Sequence, residues 1–248
     1  MLTTYFNLKD SFMHTDIDLS VIIPAYLEEE NLRIILPRLQ KELTKLKATY
    51  EVLVVDTIQA KDNSKDVCIK NNVKYINTEP KIKKTDCYGD AIQTGLQYTK
   101  GRHILFMDAD GSHPPEFIHK LYKYKEDYDV VIASRYVKGG ATDNNKLLIF
   151  MSLAVNVLYS IILGLNCKDV SNGFKLYKAD LLKKLNLKCS HFDIVEEILF
   201  KLKKAKKNLK IKEIPFTFKK RMFGSSKRNL FLFILAYIVT IIKLRFGK

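Results

Sequence analysis

The feature that most constrains the fold is a regular alternation of short apolar runs with helical repeats. Five runs are apolar and often β-branched, as is typical of strands buried on both faces of a parallel sheet. They are residues 20–25, 50–55, 73–76, 103–107 and 129–133. Four segments with apolar side chains at helical spacing lie between them, at residues 28–47, 65–71, 89–98 and 115–124. This order predicts an α/β fold in which a doubly wound, mainly parallel sheet is flanked by helices.

Polar residues follow several of these strands, and they point to a ligand site at one edge of the sheet. The strand ends read Pro24-Ala25-Tyr26, Asp56, Asp108-Ala109-Asp110 and Ser134-Arg135-Tyr136. In doubly wound sheets, ligands bind beyond the carboxyl ends of the strands. Buried carboxylates without a partner are costly, so a cation or ligand hydroxyl groups are expected to satisfy these acids.

The charge of the chain narrows the classes of partner. Lysine and arginine exceed aspartate and glutamate by 42 to 27, a net charge of +15, and the segment from Lys201 to Arg228 has twelve basic residues against the single acid Glu213. Such density is typical of proteins that bind nucleic acid, anionic lipid or a polyphosphate ligand. No nucleic-acid-binding motif accompanies it, so no nucleic-acid partner is predicted. The four cysteines have no C-x-x-C spacing and indicate neither a disulfide framework nor a metal cluster.

Two apolar segments distinguish the second half of the chain. Residues 147–165 contain no charge, but Ser152, Asn156 and Ser160 recur every four residues and place a polar stripe on one helix face. This pattern predicts a helix that packs on the domain or lies in a membrane interface. The thirteen residues 230–242 would form a helix of about 20 Å. That is too short to cross a bilayer core of about 30 Å, and the flanking basic residues favour an interfacial anchor.

The sequence FMDADGSHPPEF, residues 106–117, is the most specific chemical feature. An apolar strand delivers Asp108 and Asp110 into a turn that ends at Pro114-Pro115. Carboxylates two residues apart at a strand end are able to bind one hard divalent cation, Mg²⁺ or Mn²⁺, which in turn would neutralise a diphosphate. His113, within the same turn, is expected to stabilise it.

This turn is one of five motifs that occur in a fixed order. They are VIIPAYLEEENL, YGDAIQTGLQYTKGRHILFMDADGSHPPEF, DVVIASRYVKGG, DVSNGFKLY and FKKRMFGSSK. With them, residues 19–227 resemble family 2 glycosyltransferases of the GT-A fold, and among these the dolichol-phosphate mannose synthases and related polyprenyl-phosphate glycosyltransferases. The resemblance implies a GT-A catalytic domain at residues 19–228. We expect residues 1–18 to be a polar lead-in without a secretory signal pattern, and residues 229–248 to form a C-terminal apolar helix that anchors at a membrane interface.

The resemblance also implies roles for individual residues. Contacts to the nucleotide sugar are implied for Ala25, Tyr26, Glu28, Asp56, Asp108, Ala109, Asp110, Arg221 and Lys227. Asp108 and Asp110 would bind the metal and, with Arg135, form the catalytic set. Arg135 would meet the phosphate of the acceptor, together with Lys146, the nearest cation before the apolar segment.

These features predict a metal-dependent, inverting transfer of a hexose, mannose or glucose, from GDP-mannose or UDP-glucose to a polyprenyl or dolichyl phosphate. A phosphate acceptor is already ionised at neutral pH and needs no strong general base. The enzyme is expected to be cytoplasmic and peripheral, at the cytoplasmic face of a membrane. Two alternatives stay open. One is transfer to a saccharide or a diacylglycerol lipid, with Asp169 or Glu196 as the base, and the other is a non-catalytic membrane-binding adaptor on the same fold.

Overall fold

The computed structural model describes residues 17–79, 86–144, 146–223 and 239–246. In this part of the chain, the main sheet has seven strands and a second sheet has two. The main sheet contains β1 (Leu19–Pro24), β2 (Tyr50–Asp56), β3 (Lys74–Asn77), β4 (His103–Phe106), β5 (Val130–Ser134), β7 (Lys175–Lys178) and β8 (Ile211–Pro215). The short strands β6 (Ala141–Thr142) and β9 (Thr217–Phe218) pair with each other beside it.

The strands of the main sheet lie in the order β3-β2-β1-β4-β7-β5-β8. The β1–β2, β1–β4, β2–β3 and β5–β8 pairs are parallel, whereas β7 runs antiparallel to both of its neighbours. The carboxyl ends of β1, β2, β4 and β5 therefore meet at one edge, and the chain that enters β7 arrives at that same edge. This mainly parallel sheet confirms the predicted fold class.

Helices cover both faces of the sheet. The helices are α1 (Glu29–Lys45), α2 (Ser64–Lys70), α3 (Tyr88–Tyr98), α4 (Ile118–Tyr122), α5 (Lys146–Leu163), α6 (Ala179–Leu182) and α7 (Ile194–Ala205), and residues 239–246 are helical as well. Apolar side chains of α1, α2 and α4 pack in one core on one face of the sheet. Those of α3, α5, α6 and α7 pack in a second core on the opposite face. The arrangement of one sheet between two helical layers follows from strands that are apolar on both faces.

Between α5 and the C-terminal helix, the sequence did not predict the strands and helices that the structure contains, which are β7, α6, α7, β8 and β9. β7 has four residues, begins and ends with lysine, and is buried except at its last residue. Lys175, its first residue, is wholly buried, and its ammonium group donates hydrogen bonds to the carbonyl oxygens of Val170 and Asn172. A buried lysine satisfied by backbone carbonyls does not produce an apolar run, so β7 is hidden from a search for hydrophobic periodicity.

α5 has the opposite polarity to a helix on the surface of a soluble domain. Its buried side chains are Asn156, Tyr159 and Leu163, which face the domain. Its outward face is apolar and exposed, and it carries Leu147, Phe150, Leu153, Val157, Leu158 and Ile161. Within the described ranges, α5 is the one helix long and apolar enough to cross a membrane, and 17% of it is buried inside the protein. The predicted polar stripe therefore faces inward, and a large apolar surface is left outside.

Residues 1–16 and 224–238 lie outside the described residues. The predicted C-terminal helix is therefore described only at residues 239–246. Of the final segment, residues 239–246 are helical and contact the second core through Ile241, which is buried. Thr240 donates a hydrogen bond to the carboxylate of Asp193 at a distance of 2.9 Å. Val239, Ile242 and Phe246 are exposed on the other side. This end of the chain therefore packs on the domain and also leaves apolar side chains outside; the domain bounds stay a prediction.

Candidate active site

A cavity of about 610 Å³ opens at the carboxyl edge of β1, β2 and β4. This volume is within the range of small-ligand sites, about 300–1,000 Å³. Seven of the predicted site residues line it, namely Ala25, Tyr26, Glu28, Asp108, Ala109, Asp110 and Arg221. The parallel strand ends thus bring together residues that are up to 196 positions apart in the sequence.

The turn after β4 holds the two central carboxylates in place. Tyr88, in the first turn of α3, donates a hydrogen bond from its hydroxyl to Asp108 at 3.2 Å. The backbone N–H of Ser112 donates to Asp110 at 3.0 Å. Gly111, between Asp110 and Ser112, has φ of +82°, in the left-handed region, and a Cβ at this position would lie 2.7 Å from the side chain of Met222. Glycine is therefore required there both by the backbone conformation and by the close approach of Met222, in the loop that follows β9.

His113 fixes the backbone of this turn from below. Its side chain is completely buried and stacks on Phe174 at a centroid distance of 4.7 Å. Its Nδ1 accepts a hydrogen bond from the backbone N–H of Asp108 at 2.9 Å, and its Nε2 lies 3.1 Å from the side-chain oxygen of Asn172. Because Nδ1 accepts, the ring proton lies on Nε2, which donates to Asn172. The expected stabilising role of His113 is confirmed, and the ring also links the turn to the loop that precedes β7.

Arg221, in the loop that follows β9, lines the cavity. Its guanidinium lies 3.1 Å from the carboxylate of Asp110, and the backbone N–H of Met222 donates to the carbonyl oxygen of Asp110 at 2.9 Å. The loop is thus held against the acidic turn by one ion pair and one backbone hydrogen bond. A guanidinium at this position is able to grip the oxygens of a diphosphate that enters the cavity. Lys227, predicted to act with Arg221, lies outside the described residues.

Three carboxylates crowd one wall of the cavity. Burial raises the pKa of Glu28 to about 7; the nearby charges of Asp110 and Asp108 add to this effect, and Asn31 and Arg221 oppose it. Carboxylates that repel one another create a demand for positive charge, which Arg221 meets in part. In residues 17–79, 86–144, 146–223 and 239–246, no group of three or more His, Cys, Asp or Glu side chains has the arrangement of a metal site. The oxygens of Asp108 and Asp110 fit a hard cation that takes its other ligands from a diphosphate and water.

Asp56 lies behind the wall of the cavity. Its carboxylate is buried and accepts hydrogen bonds from the backbone N–H of Thr57 at 2.7 Å and from the hydroxyl of Tyr75 at 2.9 Å. Burial raises its pKa, while these two donors lower it. Thr57 itself lines the cavity, as does Thr78, whose hydroxyl donates to the Asp56 carbonyl oxygen. At the carboxyl end of β2, the residues that line the cavity are thus Thr57 and Thr78, and the predicted role of Asp56 stays a prediction.

The cavity also has aromatic lining residues that were not predicted from the sequence. Tyr88 and Phe192 stack with ring centroids 4.5 Å apart, and both line the cavity together with His191. Phe192 and His191 come from the segment before α7, which has no apolar periodicity to mark it. Tyr88 lies in a recognised motif, and its position at the start of a helix beside the acidic turn was the signal available.

Arg135 lies beside a different acid and outside the cavity lining. Its Nε and Nη2 donate to the two carboxylate oxygens of Asp169 at 2.8 and 2.7 Å, and Nη2 also donates to the Ser171 hydroxyl at 3.0 Å. Asp169 is fully buried and the side chain of Arg135 is 10% exposed. The guanidinium lies over the rings of Tyr136 and Phe218 at 5.0 and 5.7 Å. Arg135 is therefore rigidly held.

Lys146 begins α5 and is exposed. It belongs to the same part of the chain as Arg135, between β5 and β7. The predicted acceptor residues are thus separate from the seven that line the cavity.

A family model, Glycosyl transferase family 2, matches residues 20–186 of the chain. The chain belongs to glycosyl transferase family 2. The chain is 34% identical over 213 residues to a dolichol-phosphate mannosyltransferase of Pyrococcus furiosus, an alignment covering 84% of this chain and 58% of the relative. It is 32% identical over 222 residues to an undecaprenyl-phosphate mannosyltransferase of Micrococcus luteus, covering 84% of this chain and 86% of the relative. The chain therefore spans little more than half the length of the P. furiosus protein.

Solved structures share the fold of this chain. Glucosyl-3-phosphoglycerate synthase of Mycobacterium tuberculosis, crystallised with Mn²⁺, UDP and glucosyl-3-phosphoglycerate, superimposes with a TM-score of 0.68 at 17% identity. The match covers 92% of this chain and 80% of that one. A crystal structure of the same synthase with Mg²⁺ and UDP also gives a TM-score of 0.68, at 16% identity. These similarities establish the GT-A architecture.

Proposed function

We propose that this protein transfers a hexose from a nucleotide sugar to a polyprenyl phosphate at a membrane surface, with inversion at the anomeric carbon. The observation that carries the proposal is the cavity at the strand ends, which Asp108 and Asp110 both line and in which Arg221 pairs with Asp110. The names of the P. furiosus and M. luteus relatives support a polyprenyl-phosphate acceptor and favour mannose as the sugar. GDP-mannose and UDP-glucose are the donors to test first.

In the proposed reaction, an oxygen of the acceptor phosphate forms a bond to the anomeric carbon as the bond to the donor diphosphate breaks. Arg221 would stabilise the charge that develops on the departing nucleoside diphosphate. Asp108 and Asp110 would hold a Mg²⁺ or Mn²⁺ ion, which supplies further neutralisation of the leaving group. Tyr88, bonded to Asp108, keeps that carboxylate oriented toward the cavity.

The environment of the other acids supports a phosphate acceptor over a saccharide or a diacylglycerol. Asp169 is fixed in a two-pronged ion pair with Arg135, and Glu196 is fully buried. Neither is among the residues that line the cavity, so neither is favoured as the base for an alcohol bound there. An acceptor that is already ionised needs no such base, and an arginine is a suitable partner for it.

The exposed apolar face of α5 supports a location at the membrane surface. Leu147, Phe150, Val157 and Ile161 are exposed along one side of an 18-residue helix that begins with Lys146. Helices with an apolar face and flanking cations lie in the interfacial plane of bilayers. With the net charge of +15, this surface favours anionic lipids, and we place it at the cytoplasmic face.

The direct test is a screen of donors and acceptors with the full chain. Release of nucleoside diphosphate is measured for GDP-mannose and UDP-glucose, with vesicles that contain or lack polyprenyl phosphate, and with or without EDTA. We expect release that requires both the lipid phosphate and the divalent ion. Transfer to diacylglycerol or a saccharide alone would overturn the acceptor, and the absence of nucleoside diphosphate binding in calorimetry would indicate an adaptor.

A pair of arginine variants tests the division between donor and acceptor. Arg221→Ala should raise the KM for the nucleotide sugar, and Arg135→Lys should raise the KM for the lipid phosphate. Lysine is chosen because alanine would leave the buried Asp169 charge without its partner. A lost charge-assisted contact of about 1.5–3 kcal/mol corresponds to about 10- to 150-fold. Arg38→Ala, which removes an exposed ion pair with Glu116, is the control and should change neither constant.

A further inference from the structure

Asn156, on the inward face of α5, makes hydrogen bonds through both the NH₂ group and the oxygen of its side-chain amide. Asn156 is fully buried. Its Nδ2 donates to the Ser152 carbonyl oxygen at 2.7 Å and to the Ser171 hydroxyl at 3.0 Å, with the Ser152 hydroxyl at 3.5 Å. Its Oδ1 accepts from the backbone N–H of Ser171 at 2.9 Å. The orientation of the amide is fixed by its partners, because a carbonyl oxygen needs a donor and a backbone N–H needs an acceptor.

Ser171 connects this asparagine to the arginine after β5. The hydroxyl oxygen of Ser171 accepts from Asn156 and from Nη2 of Arg135, both at 3.0 Å. The loop that contains Ser171 also supplies Asp169, which holds the other side of the guanidinium. Ser171 therefore links the guanidinium of Arg135 to Asn156 on the inward face of α5. Ser171 is gripped by Asn156 through its hydroxyl and its backbone, so its position follows that of the helix.

We propose that Asn156 is a positioning residue, which sets the orientation of the Arg135 guanidinium through Ser171. The consequence for acceptor use rests on the proposed function, in which Arg135 meets the phosphate of the lipid. The outward face of α5 is the apolar surface offered to the membrane, and Asn156 is on its inward face. The helix that would contact the lipid surface thus also holds the group that would bind the lipid phosphate.

Asn156, Ser171 and Arg135 form a buried polar network beside a mainly apolar helix. Buried polar networks specify one arrangement when every member is satisfied and lose it when one member is removed. Removal of the Asn156 amide would leave the backbone N–H of Ser171 without its acceptor, and the serine would be free to move away from Arg135. Arg135 would keep its ion pair with Asp169 but lose its fixed hydrogen bond to the Ser171 hydroxyl.

The test compares Asn156→Ala with a matched variant of the same helix face. Ser160 lies four residues further along, and its hydroxyl donates to the Leu165 carbonyl oxygen at 2.6 Å, away from the Arg135 network. Ser160→Ala is therefore the control. Ser171→Ala and the double variant Asn156→Ala/Ser171→Ala complete a mutant cycle, in which the effects of the two single changes should not add. Thermal unfolding of each variant measures any general loss of stability.

Two readouts separate positioning from a structural role. The first is ¹⁵N relaxation of the Arg135 Nε–H without substrates, where Asn156→Ala should lower its order parameter and Ser160→Ala should not. The second is the KM for polyprenyl phosphate, which Asn156→Ala should raise about 2- to 30-fold with the nucleotide-sugar KM unchanged, as for couplings of about 0.5–2 kcal/mol within one network.

The outcomes are distinguishable. An unchanged order parameter of Arg135 in Asn156→Ala, or equal effects in Ser160→Ala, would overturn the positioning role. Equal changes in both KM values would do the same. If the wild-type protein does not use polyprenyl phosphate at all, the proposed function fails, and the relaxation measurement still decides whether Asn156 positions Arg135.

Discussion

Substitution of His113 by phenylalanine should separate the packing of its ring from its two hydrogen bonds. Phenylalanine keeps a flat ring against Phe174 and Phe216 but neither accepts from the backbone N–H of Asp108 nor donates to Asn172. The Asp108 N–H would be left without an acceptor, at a cost of about 1–3 kcal/mol. Asn172 keeps a donor in the backbone N–H of Phe174, so the second loss is closer to about 0.5–1.5 kcal/mol.

The free energy of unfolding of His113→Phe, measured by urea denaturation, should therefore fall by about 1.5–4.5 kcal/mol. Transferase turnover should fall as well, since the Asp108 backbone would no longer be fixed. His119→Phe is the control, because His119 is partly exposed and its partner Glu42 keeps an ion pair with Lys45, so that the loss should be about 0.5–1.5 kcal/mol. Equal losses in the two variants would refute the role of His113 in holding the turn.

Three further results are expected. Asp110→Ala should abolish Mg²⁺- or Mn²⁺-dependent turnover while the folded state persists; turnover near the wild-type rate would exclude this acid from the site. Phe150→Glu and Ile161→Glu should weaken sedimentation with anionic vesicles, whereas the exposed Lys65→Glu, which changes charge on α2, should have a smaller effect; unchanged binding would place the membrane contact elsewhere. The pKa of Glu28 is raised to about 7, so in metal-free protein its contribution to stability is complete below about pH 4.5 and is lost as pH rises through about 7, a loss that should be absent in Glu28→Gln. Urea midpoints across that range measure it, and an identical pH profile for both proteins would contradict the assignment.

The first half of the sheet could be predicted because its strands are apolar and its helices amphipathic. Predicted residues 50–55 and 103–107 correspond to β2 and β4 within one residue at each end. The position of the acids at the ends of these strands led directly to the cavity. The contact of Asp56 with a nucleotide stays a prediction, and the sequence does not reveal that Tyr75 on β3 and the Thr57 backbone donate hydrogen bonds to its carboxylate.

The predicted acceptor residue Arg135 depends on contacts that no local pattern encodes. The pairing of Arg135 with Asp169 joins residues 34 positions apart, and the link from Asn156 to Ser171 crosses from a helix to a loop. The stripe of Ser152, Asn156 and Ser160 indicated a distinct face of α5. It did not indicate that this face would point inward, since polar side chains usually face water, and the partners that reverse this preference are distant in sequence.

The reversed direction of β7 has a consequence for how this fold changes over time. Residues that line the cavity at the strand ends come mostly from the chain before position 111, whereas Arg135, Asn156, Asp169 and Ser171 come from one continuous segment that leaves β5 and returns through β7. That segment starts and finishes at neighbouring strands of the sheet. If the segment binds the acceptor as proposed, recombination that exchanged it as one unit would keep the cavity and change the acceptor.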